Sequence, residues 1–334
     1  MLRKFVYILF FFLTVLIKNI KAQDPYLSQQ YTASQFMSPA SVGNGIYNQR
    51  IKTNLRSQFI NGNNLYRTFV GSWDNRFRNR DPEKINSIGI GLQIVSDQLM
   101  NGVLQTNYIT LNFSNRIYLD DYGKSSISIG LGGTLSQVLI DKTKLNFADQ
   151  YDYRAFLTGV SAENILASSN KLSGNGGFIY AWHSEDLFFQ VSGNAIYNSK
   201  ASVINAFDNS SSKIKTSYFV NFEQSILTNY SLLLHSSYTE RGVNRQIVIG
   251  GSIGIPILND YDNIRRLYIG CFSRIGDALI PTVNLLMDDY NLGFSYDIFS
   301  NQLSSANLKP SGFEISFSKS FGRKRSYLYK TLFD

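Results

Sequence analysis

The sequence predicts an all-β protein, and more specifically a transmembrane antiparallel β-barrel of about fourteen strands. Apolar residues recur at every second position through most of the chain after residue 48, a period that belongs to strands because successive side chains leave on opposite faces. No apolar run after residue 22 approaches the roughly 20 residues that a membrane helix needs. The connections between alternating segments are short and long in turn, which is typical of an outer-membrane barrel.

Residues 1–22 have the parts of a secretory signal peptide. Arg3 and Lys4 form a positive end, an apolar core runs from Phe5 to Ile17, and Ala22 is a suitable cleavage residue. A membrane helix is the alternative, but a core of about 13 residues is too short to span a bilayer. We therefore expect a secreted chain and, with the barrel, integral localisation in the outer membrane.

The charge balance argues against a nucleic-acid partner. The signal segment carries four of the 32 basic residues and no acidic residue, so 28 basic residues remain against 24 acidic ones. This excess is too small for a nucleic-acid-binding face. The chain has two histidines and one cysteine, Cys271, which therefore has no partner for an internal disulfide. We expect no cofactor and no metal.

Residues 23–48 precede the alternating pattern. They are polar, include Pro25 and Pro39, and have no sustained period. We expect a periplasmic lead-in that packs against or inside the barrel. The barrel itself is predicted to occupy residues 49–322, and residues 323–334 are predicted to form a periplasmic tail.

The strands are predicted from alternation along the chain. In residues 292–298, for example, Leu292, Phe294, Tyr296 and Ile298 point one way, and Gly293, Ser295 and Asp297 point the other. The other predicted strands lie near 49–59, 66–76, 88–94, 109–117, 127–131, 176–183, 187–197, 215–227, 230–239, 246–257 and 313–317, with two more between 267 and 287.

The connections alternate in length. Those at 120–124, 184–186, 228–229 and 288–291 are short, whereas those at 141–175, 199–214 and 300–311 are longer. An even strand count with this asymmetry places both ends of the barrel in the periplasm and the longer loops outside. A soluble β-sandwich would also alternate, but the secretory signal and the turn asymmetry favour the membrane barrel.

Segments at both ends of the chain resemble a known family. They read RIGDALIP at 274–281, LGFSYD at 292–297, SGFEIS at 311–316, QDPYLSQ at 23–29 and SPASVG at 38–43. Together they resemble the PorP/SprF family of outer-membrane proteins from the type IX secretion and gliding machinery of Bacteroidetes. The signature positions are Asp24, Pro25, Pro39, Ala40, Gly43, Arg274, Asp277, Pro281, Gly293, Ser295, Tyr296, Asp297, Gly312 and Glu314.

The resemblance implies a non-enzymatic protein that helps to secrete a surface protein, such as an adhesin, or to anchor it. The implied partners are outer-membrane lipid, the secreted cargo and other type IX secretion components. A diffusion porin or a small-solute transporter is the alternative function.

Inward charges form one candidate site. If the barrel closes, Arg50, Lys52 and Arg56 on the first strand approach Glu314 on the last, with Asp74 nearby on the second strand. We expect a second cluster of Arg274 and Asp297. Charges removed from water need partners, so the sequence predicts a paired network in the lumen. The alternative is a wet channel wall with unpaired charges.

The long connection at 141–175 is a candidate partner-binding loop. It contains residue types that are enriched at interfaces, namely Phe147, Tyr151, Tyr153, Arg154 and Phe156. In the alternative, these aromatic side chains fold the loop over its own barrel.

Residues 250–254, GGSIG, match the nucleophile-elbow motif G-x-S-x-G, with Ser252 in the nucleophile position. That motif needs a strand, a sharp turn and then a helix. Here Ile255 and Pro256 continue an alternating strand. We therefore predict no catalytic residue.

Overall fold

The computed structural model describes residues 26–60, 63–78, 86–120, 123–151, 168–198, 214–226, 230–242, 244–259, 264–300, 310–322 and 331–333. Fourteen antiparallel strands in these ranges form one closed barrel. Each strand pairs with its neighbours in sequence, and β1 pairs with β14 to close the sheet. The predicted all-β barrel and its strand count are confirmed.

The strands contain between ten and sixteen residues. They are β1 Gln49–Ile60, β2 Asn63–Arg78, β3 Ser87–Leu99, β4 Leu104–Tyr118, β5 Ser125–Ile140, β6 Ser168–His183, β7 Leu187–Asn198, β8 Lys215–Ile226, β9 Tyr230–Arg241, β10 Asn244–Asn259, β11 Ile264–Arg274, β12 Ala278–Met287, β13 Tyr290–Phe299 and β14 Pro310–Phe321.

The two ends of the barrel differ. We call the end at which β1 begins and β14 ends the turn end, and the opposite end the loop end. At the turn end, β4 and β5 are joined by a tight connection in which the carboxylate of Asp120 accepts backbone hydrogen bonds from Lys124 and Ser125. The β5–β6 connection lies at the loop end, as the alternation of turn lengths predicts.

The sixth strand begins earlier than predicted, at Ser168 instead of near residue 176. Its first half, read from the sequence as loop, contains the single large apolar residue Leu172, so the apolar period is missing there. Pairing with β5 carries the strand instead, from Leu139 opposite Ser168 onwards. The connection at the loop end is therefore shorter than predicted and spans residues 141–167.

Apolar side chains cover the outside of the barrel. Along β13 the exposed residues are Tyr290, Leu292, Phe294, Tyr296 and Ile298, while the residues between them are buried. The same alternation occurs on β4, β5 and β12. An exposed apolar surface of this extent fits lipid rather than water.

The lumen is filled by the chain that precedes β1. Residues 26–48 contain two 3₁₀ turns, Gln30–Thr32 and Pro39–Ser41, and one turn of α-helix, Ser34–Met37. Leu27 and Ala40 within this segment are completely buried. In the described parts of the chain, no helix is long and apolar enough to cross a membrane.

This N-terminal segment runs along the lumen from one end to the other. Tyr26 accepts a hydrogen bond from Gln58, close to the loop end of β1. Asn48 lies at the turn end, where its backbone oxygen accepts from the N–H of Arg76. The described part of the predicted lead-in therefore lies inside the barrel.

The outer face of β5 offers a matched test of the membrane surface. Ile129 is 57 % exposed, and Gln137 lies on the same face nearer the loop end. Ile129→Arg should impair insertion, because an arginine on the lipid face near the bilayer centre costs about 2–4 kcal/mol. Gln137→Arg should insert nearly as well as the unchanged chain. Heat-modifiable mobility on a gel measures the folded fraction, and equal folding of the two variants would contradict this placement of the lipid face.

Candidate functional site

Glu314 on β14 fastens the N-terminal segment to the seam with β1. Its side chain is completely buried. The carboxylate accepts hydrogen bonds from the backbone N–H groups of Ser28 and Gln29 and from Nδ2 of Asn54 on β1 at 2.8 Å. Hydrogen bonds to an ionised acceptor are roughly twice as strong as neutral ones. One carboxylate thus joins the segment and both strands of the seam.

The side chain of Gln29 adds three contacts at the same place. Its Nε2 donates to Ser295 Oγ at 3.3 Å and to the backbone oxygen of Glu314 at 3.1 Å. Its Oε1 accepts from Ser316 Oγ at 2.9 Å. A Cβ on the neighbouring Gly293 would collide with this amide oxygen, so glycine is required there for the segment to lie close to the sheet.

Asp297 on β13 is shared by two arginines. Nη2 of Arg56 lies 2.6 Å from Oδ2 of Asp297, and Nη2 of Arg274 lies 2.8 Å from the same atom. Ser28 Oγ donates to the other carboxylate oxygen at 2.7 Å. Asp277, in the turn after β11, lies 2.6 Å from Nη1 of Arg274. Two guanidinium groups and the Asp297 carboxylate therefore face one another where water is excluded, and the partly buried Asp277 lies at the edge of this cluster.

Tyr26 lies between the same two arginines. Its ring centroid is 4.3 Å from the guanidinium carbon of Arg56 and 4.5 Å from that of Arg274. Cation–π contacts strengthen when the cation is removed from water. The first described residue of the chain is thus held near the loop end of the lumen.

A second ion pair forms near the turn end. Nε of Arg50 donates to Asp74 Oδ1 at 3.1 Å, and Nη2 of Arg50 donates to the backbone oxygen of Ser41 at 2.9 Å. The N–H of Gly43 donates to Asp74 Oδ2 at 2.7 Å. Gly43 has a φ of +69°, which favours glycine. This pair therefore holds the turn at residues 41–43 within the N-terminal segment.

The arrangement differs from the predicted network in the partners of Arg56, Lys52 and Glu314. Arg56 lies opposite Glu314 across the seam, but its guanidinium group binds Asp297, and Glu314 is satisfied by the N-terminal segment. Arg50 pairs with Asp74. Lys52 donates to the backbone oxygen of Phe333 at 2.9 Å. The sequence placed these charges on the inner face but did not reveal the segment that lies between them.

The C-terminal tail departs from expectation more clearly. The sequence places residues 323–334 in the periplasm, yet Thr331, Leu332 and Phe333 lie buried inside the barrel. The Phe333 ring stacks on Phe188, with centroids 5.3 Å apart, and meets the edge of the Tyr31 ring at 6.4 Å. Burial of these apolar side chains stabilises the tail within the lumen.

Other signature residues contribute to the inner packing or face outwards. Pro39 and Ala40 lie against Gly130 of β5 so closely that a Cβ there would collide with their backbone. Gly312 is buried, whereas Pro281 and Tyr296 are exposed on the outer face. Asp24 and Pro25 lie outside the described residues.

The candidate loop is described only in part. The N–H of Phe147 donates to Oε1 of Gln150 at 2.8 Å, and the ring of Phe147 is half-buried. Tyr151 is 43 % exposed. At the start of the loop, a hydrogen bond from the Thr143 hydroxyl lowers the pKa of Asp141. Tyr153, Arg154 and Phe156 lie outside the described residues.

Several inward polar residues were not predicted as part of the site. The buried carboxylate of Glu223 accepts from Tyr268 Oη at 2.6 Å and from the N–H of Leu332 at 3.0 Å. Arg76 donates to the backbone oxygen of Gly45 at 2.6 Å, and Arg116 donates to that of Asn44 at 3.3 Å. Their inward positions could have been read from alternation, because each is flanked by outward-facing residues.

Ser252, the two histidines and Cys271 all lie on strands of the barrel. Ser252 is buried within β10, which continues as a strand to Asn259. Nδ1 of His235 lies 2.6 Å from Asn221 Oδ1, and the His183 ring packs edge-on against Phe188. Cys271 is exposed. Within the described ranges, no group of three or more His, Cys, Asp or Glu side chains could hold a metal ion.

A closed antiparallel barrel with an apolar exterior and a polar, charge-paired interior defines an integral outer-membrane protein. The chain belongs to the PorP/SprF family of type IX secretion system membrane proteins, which it matches over residues 19–318. It is therefore an outer-membrane component of type IX secretion. No curated protein matches the chain.

The chain is also similar to several solved structures. A Pseudomonas aeruginosa FadL homologue has 9 % identity and a TM-score of 0.52, with 87 % of this chain and 94 % of that one covered. The CymD monoaromatic hydrocarbon channel has 10 % identity and a TM-score of 0.46, covering 87 % and 93 %. The translocator domain of the autotransporter NalP from Neisseria meningitidis has 10 % identity and a TM-score of 0.42, covering 88 % and 98 %. The likeness to the FadL homologue shows the fold alone.

Asp297→Asn should destabilise the folded barrel, because it leaves Arg56 and Arg274 facing a neutral group. Breaking a buried ion pair from one side costs about 3–5 kcal/mol. Asp141→Asn is the control, since Asp141 pairs with Lys144 at the surface and such pairs contribute about 0–1 kcal/mol. Thermal unfolding in detergent measures both effects. Equal midpoints for the two variants would contradict the role of the buried cluster.

Proposed function

We propose that the protein is a closed, non-conducting barrel that helps to secrete a surface protein and to anchor it at the cell surface. The observation that supports this most directly is the filled lumen. A cargo anchor needs a rigid body in the membrane and a recognition surface outside it, but it needs no open pore.

The contents of the lumen argue against the porin alternative. The N-terminal segment crosses the interior between the loop end and the turn end, and its contacts with β1, β13 and β14 are buried. The cavity beside Phe333 has a volume of about 20 Å³, and the one between Gln35, Tyr108 and Asn194 has about 90 Å³. The first volume holds about one water molecule and the second holds a few. A diffusion path would require the segment to leave.

The loop end supplies the proposed recognition surface. Loops carried on a rigid scaffold commonly hold binding residues. Tyr151 is exposed in the connection after β5, and the remaining aromatic residues and Arg154 of that connection are the types that anchor interfaces. We propose a secreted, adhesin-like protein as the partner, with other type IX components assisting its export or gliding.

The N-terminal residues and the apolar exterior support a location in the outer membrane. We propose that residues 1–22 are removed as a secretory signal peptide, because their charge and apolar length match one. The apolar exterior then contacts outer-membrane lipid. The inward polar side chains serve to pack and pair, and we propose no enzymatic activity.

Planar-bilayer conductance tests whether the lumen is closed. The purified protein should show no large, steady openings, because the N-terminal segment is held by buried hydrogen bonds and ion pairs. An open barrel of a general porin, reconstituted in the same lipid, is the positive control. Steady openings of comparable size would support the porin alternative.

A loop exchange tests the proposed anchoring surface. Replacing residues 147–156 with a Gly/Ser linker of equal length should release the surface protein into the medium, while the barrel stays folded because exposed loops tolerate exchange. The matched control replaces residues 203–212, in the connection after β7, by the same linker. Surface retention of the secreted protein is measured together with heat-modifiable mobility. Full retention by the first variant would move the binding surface elsewhere.

A further inference from the structure

The last described residues of the chain occupy a pocket in the lumen close to the turn end. Lys52 is near the start of β1, Phe188 near the start of β7 and Glu223 near the end of β8, so all three lie toward that end. Thr331, Leu332 and Phe333 are each no more than 5 % exposed.

The pocket recognises the tail as a peptide. Glu223 Oε2 accepts from the N–H of Leu332 at 3.0 Å, and Nζ of Lys52 donates to the backbone oxygen of Phe333 at 2.9 Å. An acid and a base thus bind one backbone donor and one backbone acceptor. Phe188 and Tyr31 form the aromatic walls around the Phe333 side chain. Backbone contacts give affinity, and the aromatic pocket selects the side chain, as in other peptide-binding sites.

We propose that this pocket is a peptide-binding site that opens to the periplasm, and that the chain's own tail is its resident ligand. The exchanging partner is an extended periplasmic peptide with a Leu-Phe pair near its end. This site lies at the opposite end of the barrel from the proposed anchoring loop, so each proposal can fail without the other.

Of the two segments inside the lumen, the C-terminal tail can be withdrawn with the smaller loss of barrel contacts. The N-terminal segment is continuous with β1 and is bound by Glu314, Asp297 and Asp74. Residues 331–333 contact the barrel through side chains, ring packing and backbone hydrogen bonds to Lys52 and Glu223, and they are not part of any of the fourteen described strands. Withdrawal of these three residues therefore breaks no strand–strand hydrogen bond among the described residues.

The pocket can be tested in trans with a labelled peptide of residues 323–334. The peptide is titrated into the full chain and into a variant that ends at Gly322, both purified in detergent, and binding is followed by fluorescence anisotropy. The shortened barrel should bind the peptide. The full chain should bind the peptide at least about tenfold more weakly than the shortened barrel does, because its own tethered tail competes for the pocket at a high effective concentration.

A second peptide separates pocket recognition from simple charge attraction. It carries Leu332→Ser and Phe333→Ser and keeps every basic residue of the first peptide. The shortened barrel should lose at least about tenfold in affinity for it, since the buried apolar contacts are removed. Equal binding of the two peptides, equal binding by the two barrels, or no binding by the shortened barrel would each overturn the proposal.

Folding of the shortened barrel is checked by heat-modifiable mobility. If it does not fold, a full-length Phe333→Ser chain is titrated in its place, because it retains the tail but weakens its hold on the pocket. Failure of both variants to fold would show that the tail is a fixed part of the core, and would also overturn the proposal.

Discussion

The burial of charge on the inner faces of β13 and β14, at and beside the seam with β1, is the constraint on which the packing of the interior depends. Glu314 and Asp297 are almost wholly removed from solvent, and an ionised carboxylate in that position costs several kcal/mol unless it is paired and hydrogen-bonded. Ser28, Gln29 and the two arginines supply those partners. Half of the groups that donate hydrogen bonds to these two carboxylates belong to the N-terminal segment. The strands therefore depend on the segment to satisfy their buried charges, and the segment depends on the strands for its position.

The protein places apolar side chains on its exterior and many polar side chains in its interior, the reverse of a soluble domain. Its exterior is apolar because lipid surrounds it, so the hydrophobic effect cannot hold the strands to the inner segment by the usual burial of one apolar face. Hydrogen bonds, ion pairs and small apolar clusters do so instead, such as the cluster around Tyr31, Phe272 and Phe333. Glycines such as Gly130 and Gly293 let the segment approach the sheet at backbone distance. The result is a solid body with specific internal contacts.

The sequence predicted the exterior better than the interior. A period of two is a local signal, so it located the strands, their inner and outer faces and the closing pair. The signal failed in the first half of β6, where Leu172 stands alone among small and polar residues. It also carried no information on what Glu314 contacts. Residues 23–48 have no period, and the tail was read as periplasmic because sequence alone does not show that Lys52 and Glu223 would meet its backbone.

The hydrogen bond from Ser28 to Glu314 joins residues 286 positions apart in sequence, and this separation constrains the order of assembly. The last strand must be present before the segment has its partner. A barrel that closed while empty would admit the segment afterwards only by threading it lengthwise through the lumen. Assembly is simpler if the segment already lies on the inner face of the curling sheet when β14 meets β1. Contacts this remote in sequence are slow to form, so the final closure of the seam and the filling of the lumen become a single late event.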